Sequence, residues 1–477
     1  MSAAYGSRAA GHRHPLTDPA MVVLAASTTA AVWAGEWPVV VLVAGMGALV
    51  VLTVWRTVVG ATVLVVLALA GGGLGQRSWA QAQPRHLGTY TGWVEVVGDP
   101  APYGSGLRVT LEVDGERFDA WGYGSPRRRL SARTAGDLLW VSGVRRHSGG
   151  VERRAQIRHV VGRMDLDYVG DVSPGSALDR ASARVRATLR SSAQAAMPAD
   201  EAALFTGLVI GDDAAEPPAM VEGFRTTGLS HLTAVSGENL LFLLAAASPL
   251  LRRLRPWLRW AASVVLIGWF MALTRFEPSV LRAGVMAILG VSGFALGRRQ
   301  HPVRLLALAV IALELIDPML VWSVGFWLSV GATGGVCVVG PWLAARLHGP
   351  TWWRIGLATT LGAQVGVVLP SVLVFHRLPV LSVPANLLAV PVAGLVMLWG
   401  IPAGLAAALL PGPLAAAMMW PAAMGTRWVA TIAAIGARLE PAPQWSLAGW
   451  AVIAMITALL LRAQPRMAFS VSADGAK

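Results

Sequence analysis

The segment GLSHLTAVSGENLLFLLAAASPLL, residues 228–251, places a cluster of polar side chains and glycines at the start of a long apolar run. The apolar part, from Leu240 onward, predicts a membrane-spanning helix. Polar groups at membrane depth are costly, and they generally face a cavity or the protein interior rather than lipid. The segment therefore predicts a pore or binding site at the start of a helix. Its candidate residues are His231, Ser236, Gly237 and Asn239.

The composition is that of an integral membrane protein. Hydrophobic residues make up 55% of the 477 residues and charged residues 14%, which is far from the composition of soluble domains. The net charge of +13 is carried by arginine, since Lys477 is the only lysine. This charge favours an anionic partner, either lipid headgroups or nucleic acid. The alternative is the positive-inside bias of bacterial-type membrane proteins.

Several kinds of chemistry lack their usual sequence signals. The single cysteine, Cys337, lies in an apolar run, so no intrachain disulfide and no cysteine metal site is expected. The histidines are scattered and do not form a metallo-hydrolase cluster. No glycine-rich loop ends in Gly-Lys-Ser/Thr, so no nucleotide motor is encoded. We therefore expect a protein that is not an enzyme and that binds no cofactor and no metal.

The apolar runs and the polar segments between them divide the chain into six parts. They are a cytoplasmic tail (1–20), N-terminal transmembrane helices (21–75), a β-domain (76–170), amphipathic helices with a linker (171–227), a transmembrane channel domain (228–465) and a C-terminal tail (466–477). The predicted fold class is a polytopic α-helical membrane protein, in which the β-domain is inserted after three N-terminal spans.

Period-two alternation predicts the strands of the β-domain. They cover residues 90–97, 107–113, 117–121, 138–144 and 151–161. Five short strands in a small domain suit an OB-like β-barrel. OB-folds often bind single-stranded nucleic acid through basic grooves and aromatic platforms, and the candidates here are Arg127, Arg128, Arg129, Arg145 and Arg146. The alternative is a spacer domain with a solvated basic face.

Arginine-rich loops predict the orientation in the membrane. Two short basic loops, at 252–259 and 298–304, lie two predicted spans apart, and the positive-inside rule places both in the cytoplasm. Counting back one span puts the start of the 228–251 segment outside. Counting forward from a cytoplasmic N-terminus through three spans puts the β-domain outside as well. The chain is thus predicted to be a multi-pass protein of the cytoplasmic membrane with an extracytoplasmic β-domain.

A further polar site lies around Pro278, a residue type favoured at the first position of a helix. Glu277 precedes this proline, and Arg282 follows it one or two turns into the span. Arg282 is a candidate contact for a phosphate backbone. The alternative is a buried arginine that pairs with Glu277 or Glu314 and locks the helices together.

Two more polar sites occur later in the chain. Asp317-Pro318 is a turn signal followed by polar and glycine residues up to Ser329, and Asp317 is alternatively only a loop cap. The stretch from 375 to Pro391 contains Asn386 and three prolines. It predicts a broken helix of the kind at which transported substrates bind, or alternatively a kinked structural helix. Glycine pairs at 331/335 and 362/366 predict close helix packing.

At these motifs the chain resembles the ComEC family, the inner-membrane channel proteins of bacterial natural transformation. The motifs, in order, are Gly211-Asp212 with Phe224, GLSHLTAVSGEN (228–239), EPSVLRA (277–283), DPML with GFWLS (317–320 and 325–329), and LP through NLLAVP (378–391). The residues taken as motif or structural positions are Gly211, Asp212, Gly228, Pro278, Asp317, Pro318, Gly325, Phe326, Ser329 and Pro391. Those taken as channel residues are His231, Ser236, Gly237, Asn239, Glu277, Arg282 and Asn386.

The resemblance implies import of single-stranded DNA through the membrane, while the other strand is degraded outside. Many family members carry a C-terminal metallo-β-lactamase-like domain for that degradation. This chain ends at Lys477, soon after its last span, so a form without that domain is expected. The implied partners are single-stranded DNA, membrane lipids, a separate DNA receptor, a separate nuclease, a cytoplasmic ATP-driven motor and a second copy of the chain. The alternatives are a structural membrane scaffold and a small-solute transporter using Glu277, Arg282 and Glu314.

Overall fold

The computed structural model describes residues 18–147, 152–233, 237–276, 278–297, 301–376 and 378–462. Three N-terminal helices come first, as predicted. They are α1 (Asp18–Ala34), α2 (Trp37–Val50), which continues as a π-helical turn at Val51–Trp55, and α3 (Val58–Gln81). The turn between α1 and α2 passes through Gly35, whose φ of +66° suits glycine, and Pro38 lies in the first turn of α2, where its missing N–H is not needed.

The β-domain contains one curled six-stranded sheet. Its strands are β1 (Gly88–Val96), β2 (Ala101–Tyr103), β3 (Gly106–Val113), β4 (Glu116–Gly122), β5 (Leu138–Arg146) and β6 (Val160–Ser173), in the order β1-β5-β6-β4-β3-β2. Strands β4 and β6 run parallel, whereas the other pairs are antiparallel. β1 also pairs with β3, but only at Glu95–Glu112 and Val96–Leu111. The sheet therefore curls back on itself without being the closed barrel that the strand count predicts.

Four of the five predicted strands coincide with β1, β3, β4 and β5, but the fifth prediction is wrong. Residues Glu152–Ile157 form a helix, α5, and the last strand begins only at Val160. The segment before Val160 is rich in glutamate, arginine, alanine and glutamine, which are good helix formers. The inward alternation starts at Val160 and continues through Gly162, Met164 and Leu166, which are buried. Another short helix, α4 (Gly124–Leu130), carries the three consecutive arginines.

Four helices connect the sheet to the main membrane region. They are α6 (Ala177–Ala196), α7 (Ala199–Ile210), α8 (Pro218–Thr226) and α9 (Ser230–Thr233). α6 begins with a capping box, in which Ser176 and Asp179 satisfy each other's backbone N–H groups. It is amphipathic, as predicted, and buries Leu189 and Ala193. α7 is buried along nearly its whole length and ends at Gly211, whose left-handed φ of +66° is typical of a helix C-terminus.

Nine helices make up the rest of the described chain. They are α10 (Gly237–Leu251), α11 (Pro256–Leu273), α12 (Pro278–Ala295), α13 (Pro302–Ile316), α14 (Val324–Ala344), α15 (Thr351–Phe375), α16 (Ser382–Ala407), α17 (Gly412–Leu439) and α18 (Ser446–Arg462). A 3-10 turn, Pro318–Trp322, separates α13 from α14. Among the described residues, six helices are long and apolar enough to cross a membrane. These six are Trp37–Trp55, α3, α11, α14, α15 and α16.

The predicted broken helix near Pro391 is not broken. α16 runs without interruption from Ser382 to Ala407. Pro384 lies in its first turn, where backbone N–H groups make no hydrogen bonds within the helix, so a proline there costs none. Pro391 lies in the middle of α16, which continues past it. The chain interruption comes earlier, where α15 ends and His376 adopts a left-handed φ of +53°.

The glycine pairs pack α14 against α15, as predicted. A Cβ atom built on Gly366 would lie 1.9 Å from the carbonyl oxygen of Gly331, and one on Gly335 would lie 2.0 Å from the carbonyl oxygen of Gly362. Both distances are far below contact, so only glycine allows the two backbones to approach this closely. The approach brings α14 and α15 together as one wall of the space described next.

Candidate functional site

A cavity of about 2310 Å³ lies between the sheet and the membrane helices. It is lined by residues from all four of the ordered motifs after Gly211-Asp212, although these motifs are far apart in the chain. The predicted residues that line it are Gly228, His231, Gly237, Arg282, Asp317, Pro318, Gly325, Ser329 and Asn386. The fold thus brings the polar motifs of the sequence into one continuous space.

Arg282 is held by hydroxyl groups of the neighbouring helix. Its Nη1 donates to Oγ1 of Thr333 at 2.8 Å, and its Nη2 donates to Oγ of Ser329. The residue is only 6% exposed, and its Nε lacks a hydrogen-bond partner among the described residues. No carboxylate of the described chain lies within salt-bridge distance of it, and Glu314 bonds instead to Thr29 at 2.5 Å. The pairing of Arg282 with Glu314 considered from the sequence is therefore wrong.

The wall around Arg282 is otherwise uncharged and combines hydroxyl and amide groups with apolar side chains. Within the described parts of α12, α14 and α15, Arg282 is the only charged residue that lines the cavity. The hydroxyl and amide groups contributed by these helices are Ser279, Ser329, Thr333, Thr359, Thr360, Gln364 and Ser371. Such groups favour water and polar solutes at membrane depth without imposing a fixed charge.

The GLSHLTAVSGEN segment forms one side of the cavity. Gly228 has a left-handed φ of +72°, and a Cβ on it would lie 2.9 Å from Cβ of Ser382. Its position therefore requires glycine. His231, on α9, and Gly237, at the start of α10, line the cavity beside it. Close to Gly228, on α16, Asn386 donates its Nδ2 to the carbonyl of Ser382 at 2.7 Å, which fixes the amide against the cavity wall.

Several predicted residues lie away from the cavity surface. Asn239 is 3% exposed and donates to the carbonyl of Leu208 at 2.9 Å, so it anchors α10 on α7. Asp212 is buried and pairs with Arg186 and Arg190. The rest are structural: Gly211 ends α7, Pro278 begins α12, Phe326 is buried, and Pro391 lies within α16. Ser236 and Glu277 lie outside the described residues.

The five arginines predicted to bind DNA on the β-domain do not line the cavity. Arg145 is paired with Asp114 at 3.0 Å, and Arg146 with Asp165 at 3.4 Å. The other three lie on α4. Arg127 donates to the carbonyl of Ser105, Arg129 donates to that of Val169, and Arg128 is exposed.

Fourteen charged residues line the cavity among those described, and apart from Arg282 and Asp317 the sequence did not single them out as site residues. Among the described residues its lining holds seven arginines and seven carboxylates, so the wall as a whole is not strongly basic. The arginines are Arg85, Arg117, Arg158, Arg186, Arg225, Arg275 and Arg282. The carboxylates are Glu95, Glu112, Asp114, Glu116, Asp179, Glu238 and Asp317. No sequence signal groups them, because they meet only when the ends of β1, β3 and β4 approach the helices.

One acid of the sheet joins it to the helices. Asp99, between β1 and β2, pairs with Arg275 and lies 3.5 Å from Nη2 of Arg186. Burial lowers the pKa of the Arg186 guanidinium, and Arg275 adds to this shift, while Asp212 and Asp99 oppose it. In the sheet itself, burial is the larger cause and repulsion from Glu112 the next of a raised pKa of the Glu95 carboxyl group.

No group of three His, Cys, Asp or Glu side chains in the described part of the chain could hold a metal ion.

Comparison with known proteins assigns the chain to a family. Residues 208–467, more than half of the chain, match the family described as "Competence protein". The chain belongs to the competence protein family. The match runs from α7 to the end of α18 and so contains every membrane-side residue of the cavity from Gly228 onward. With six helices able to cross a membrane by length and composition, this family member is a multi-pass membrane protein.

Two relatives show how far the similarity extends. The chain is 28% identical over 213 residues to ComE operon protein 3 of Bacillus subtilis (strain 168), covering 44% of this chain and 27% of that protein. It is 28% identical over 234 residues to the uncharacterized protein YcaI of Escherichia coli (strain K12), covering 44% of this chain and 30% of that protein. The chain thus matches less than a third of either relative's length. No solved structure matches it.

Proposed function

We propose that this protein is a channel that imports single-stranded DNA across the cytoplasmic membrane during natural transformation. The proposal rests on the position of Arg282, a buried arginine that lines the cavity, is held by the hydroxyl groups of Ser329 and Thr333, and has no carboxylate partner among the described residues. An arginine in that position offers a charge-assisted contact to a phosphate. Family membership supports a role in DNA uptake.

The size of the cavity favours a polymer over a small solute. Pockets for small molecules are typically roughly 300–1,000 Å³, whereas this cavity measures about 2310 Å³. A small-solute transporter built on Glu277, Arg282 and Glu314 is less well supported, because Glu314 is absent from the cavity lining and is 0% exposed.

The sheet extends the proposed path. The pairing of β1 with both β5 and β3, and the parallel pairing of β4 with β6, support an OB-like, partly open barrel. In this proposal the N-terminus is cytoplasmic and the sheet is extracytoplasmic, so DNA meets the sheet before it meets Arg282. The sheet and the helices then form one route, because both line the same cavity.

The chain itself acts as a channel and not as an enzyme in this proposal. A separate receptor delivers DNA, a separate nuclease removes one strand, and a cytoplasmic ATP-driven motor pulls the other. Assembly of several copies is part of the same proposal. A structural scaffold without DNA-uptake activity is the second candidate, and it differs in one respect: a scaffold tolerates loss of the Arg282 charge as long as the fold survives.

Uptake of labelled DNA into the cytoplasm of the native host tests the channel. The arms are wild type, a deletion, and the deletion complemented with Arg282→Ala, Arg282→Lys or Arg346→Ala. Arg346 is the matched control, because it is exposed, lies over the ring of Trp342 and does not line the cavity. All variants are compared at equal amounts of protein in the membrane.

The expected results separate the two candidates. Deletion abolishes uptake, Arg282→Ala reduces it at least roughly tenfold through the lost charged contact, Arg282→Lys retains part of it, and Arg346→Ala retains all of it. Uptake that survives deletion overturns the proposal. Normal uptake with Arg282→Ala at normal membrane levels removes Arg282 from the path and favours the scaffold.

A further inference from the structure

Four arginines lie close together at the turn between α10 and α11. Arg252, Arg253 and Arg255 are exposed in the turn itself, and Arg259 lies in the first turn of α11. None of the four has a carboxylate within salt-bridge distance among the described residues. The segment from Arg252 to Arg259, here called the basic turn, contains no acidic residue. It therefore presents four positive charges that the described chain does not neutralise.

The basic turn is at the end of α11 that lies away from the sheet. The other end of α11, at Leu273, is followed by Arg275, which pairs with Asp99 of the β-domain. The 18 residues of α11 span about 27 Å, which is close to the roughly 30 Å thickness of a bilayer's hydrocarbon core. When α11 crosses the membrane, the basic turn therefore lies among the lipid headgroups on the face opposite the sheet.

Aromatic side chains border the basic turn where α11 meets α12. Trp260 donates its Nε1 to Oγ of Ser292 on α12 at 3.0 Å. The guanidinium carbon of the neighbouring Arg259 lies 5.3 Å from the centre of the Phe294 ring, also on α12. Trp257 is 65% exposed, and tryptophan is enriched where a bilayer meets water. The junction of the two helices thus holds one guanidinium in a defined position beside rings that suit the membrane surface.

Exposed apolar side chains surround these charges. Leu250, near the end of α10, is 66% exposed, and Phe294 and Leu296, at the end of α12, are 56% and 75% exposed. The surface therefore offers positive charge to a headgroup and apolar contact to acyl chains. A nucleic acid or an acidic protein segment would match the charge but would leave the apolar side chains without a counterpart.

We propose that the basic turn and the adjoining junction of α11 and α12 form a binding site for an anionic phospholipid. Arginines donate charge-assisted hydrogen bonds to phosphate oxygens, and clusters of basic residues directly beside a membrane helix are typical of anionic lipid recognition. The positive-inside rule accounts for arginines in a loop, but it does not account for the position of Arg259 over the Phe294 ring. The site is independent of the proposed DNA path, because the basic turn does not line the cavity.

Binding of a fluorescently labelled phosphatidylglycerol to the full chain in a non-ionic detergent tests this inference. Labelled phosphatidylcholine with the same acyl chains is measured in parallel, because its headgroup has the phosphate but no net charge. One variant, the turn variant, replaces three exposed arginines together: Arg252→Gln, Arg253→Gln and Arg255→Gln. A second variant, Arg259→Gln, removes the guanidinium at the helix junction.

A control triple variant removes the same charge elsewhere. It combines Arg128→Gln, Arg154→Gln and Arg184→Gln, at exposed positions of α4, α5 and α6. These three arginines lie outside the membrane helices, so a loss of affinity caused only by the lower net charge should occur in this variant as well. A titration of salt concentration accompanies each binding measurement.

The turn variant is expected to bind phosphatidylglycerol roughly 100-fold more weakly than wild type, at roughly fivefold for each arginine, and Arg259→Gln roughly fivefold more weakly. The control triple variant binds like wild type. Salt weakens wild-type binding and has less effect on the turn variant, because screening acts on the charges that the variant lacks. Equal losses in the turn variant and the control triple variant, or equal affinity of wild type for the two lipids, overturn the site.

Thermal unfolding separates a lipid site from a nucleic-acid site. Phosphatidylglycerol should raise the melting temperature of wild type and of the control triple variant but not of the turn variant, because a ligand that binds the folded state stabilises it. Unlabelled oligo-dT should leave the labelled lipid bound. Displacement of the lipid from wild type by oligo-dT would show that the basic turn binds nucleic acid, and would overturn the lipid assignment.

Discussion

The imidazole Nε2 of His159 lies 3.0 Å from Oδ2 of Asp317, across the boundary between the sheet and the membrane helices. His159 comes directly before β6, and Asp317 directly precedes and caps the 3-10 turn between α13 and α14. The other oxygen of Asp317 accepts the backbone N–H of Met319 at 3.0 Å. The carboxylate of Asp317 thus caps a turn of the membrane region and also contacts the sheet domain through His159, and both residues line the cavity.

We expect His159→Ala to loosen this contact without unfolding the protein. The two side chains are 44% and 27% exposed, and exposed ion pairs contribute less than about 1 kcal/mol. Hydrogen exchange should therefore accelerate locally in residues 152–173, while the melting temperature stays near that of wild type. His348→Ala, at an exposed position of the loop after α14, should change neither quantity. A large drop in melting temperature with His159→Ala contradicts this account.

Gly366→Ala should destabilise the α14–α15 pair. The new methyl group would lie 1.9 Å from the carbonyl oxygen of Gly331, so the helices must separate, and overpacking of this kind costs typically 1–3 kcal/mol or more. The matched control is Gly268→Ala on α11, where a Cβ meets nothing within 4 Å. Thermal unfolding in one detergent measures both. Equal melting temperatures for the two variants would show that the glycine contact does not hold the helices together.

Glu216, in the loop between α7 and α8, makes stability depend on pH. Burial, followed by repulsion from Asp213 and Asp212, raises the pKa of its carboxyl group from 4.5 to about 8. Between these two values the folded state binds more protons than the unfolded state, so this group's stabilisation is complete below pH 4.5 and is lost as the pH rises through about 8. Glu216→Gln should remove this part of the decline, as chemical denaturation at pH 5 and pH 8 would reveal. An identical decline in both proteins would contradict the assignment.

The sequence predicts the helices well because long apolar runs and caps are local signals. The apolar run that begins at Leu240 predicts a helix that α10 confirms, and the close packing of α14 against α15 follows from the spacing of the glycine pairs 331/335 and 362/366. Prediction from the sequence fails where tertiary contacts determine the position of a side chain. The burial of the Asn239 amide against Leu208 depends on a residue 31 positions earlier in the chain, and the sequence holds no sign of that contact.

The candidate site likewise contains residues that local sequence signals predict and residues that only tertiary contacts bring together. Arg282, His231 and Asn386 could be proposed because polar groups in apolar runs are conspicuous, and all three line the cavity. The hydroxyl groups that hold Arg282 come from Ser329 and Thr333, and their role depends on the register of α12 against α14. The charged residues of the rim depend on how the sheet docks on the helices, which no local pattern encodes.

Crosslinking during uptake shows directly whether a DNA strand passes along the cavity wall beside Arg282. A photoreactive side chain is placed at Gln364, which lines the cavity, or at the next residue, Val365, which is 57% exposed and does not line it. The host is illuminated while it takes up labelled DNA. We predict that single-stranded DNA crosslinks at position 364 and not at position 365. Crosslinking at neither position, or equally at both, in cells that import DNA through this protein would contradict the assignment of the path.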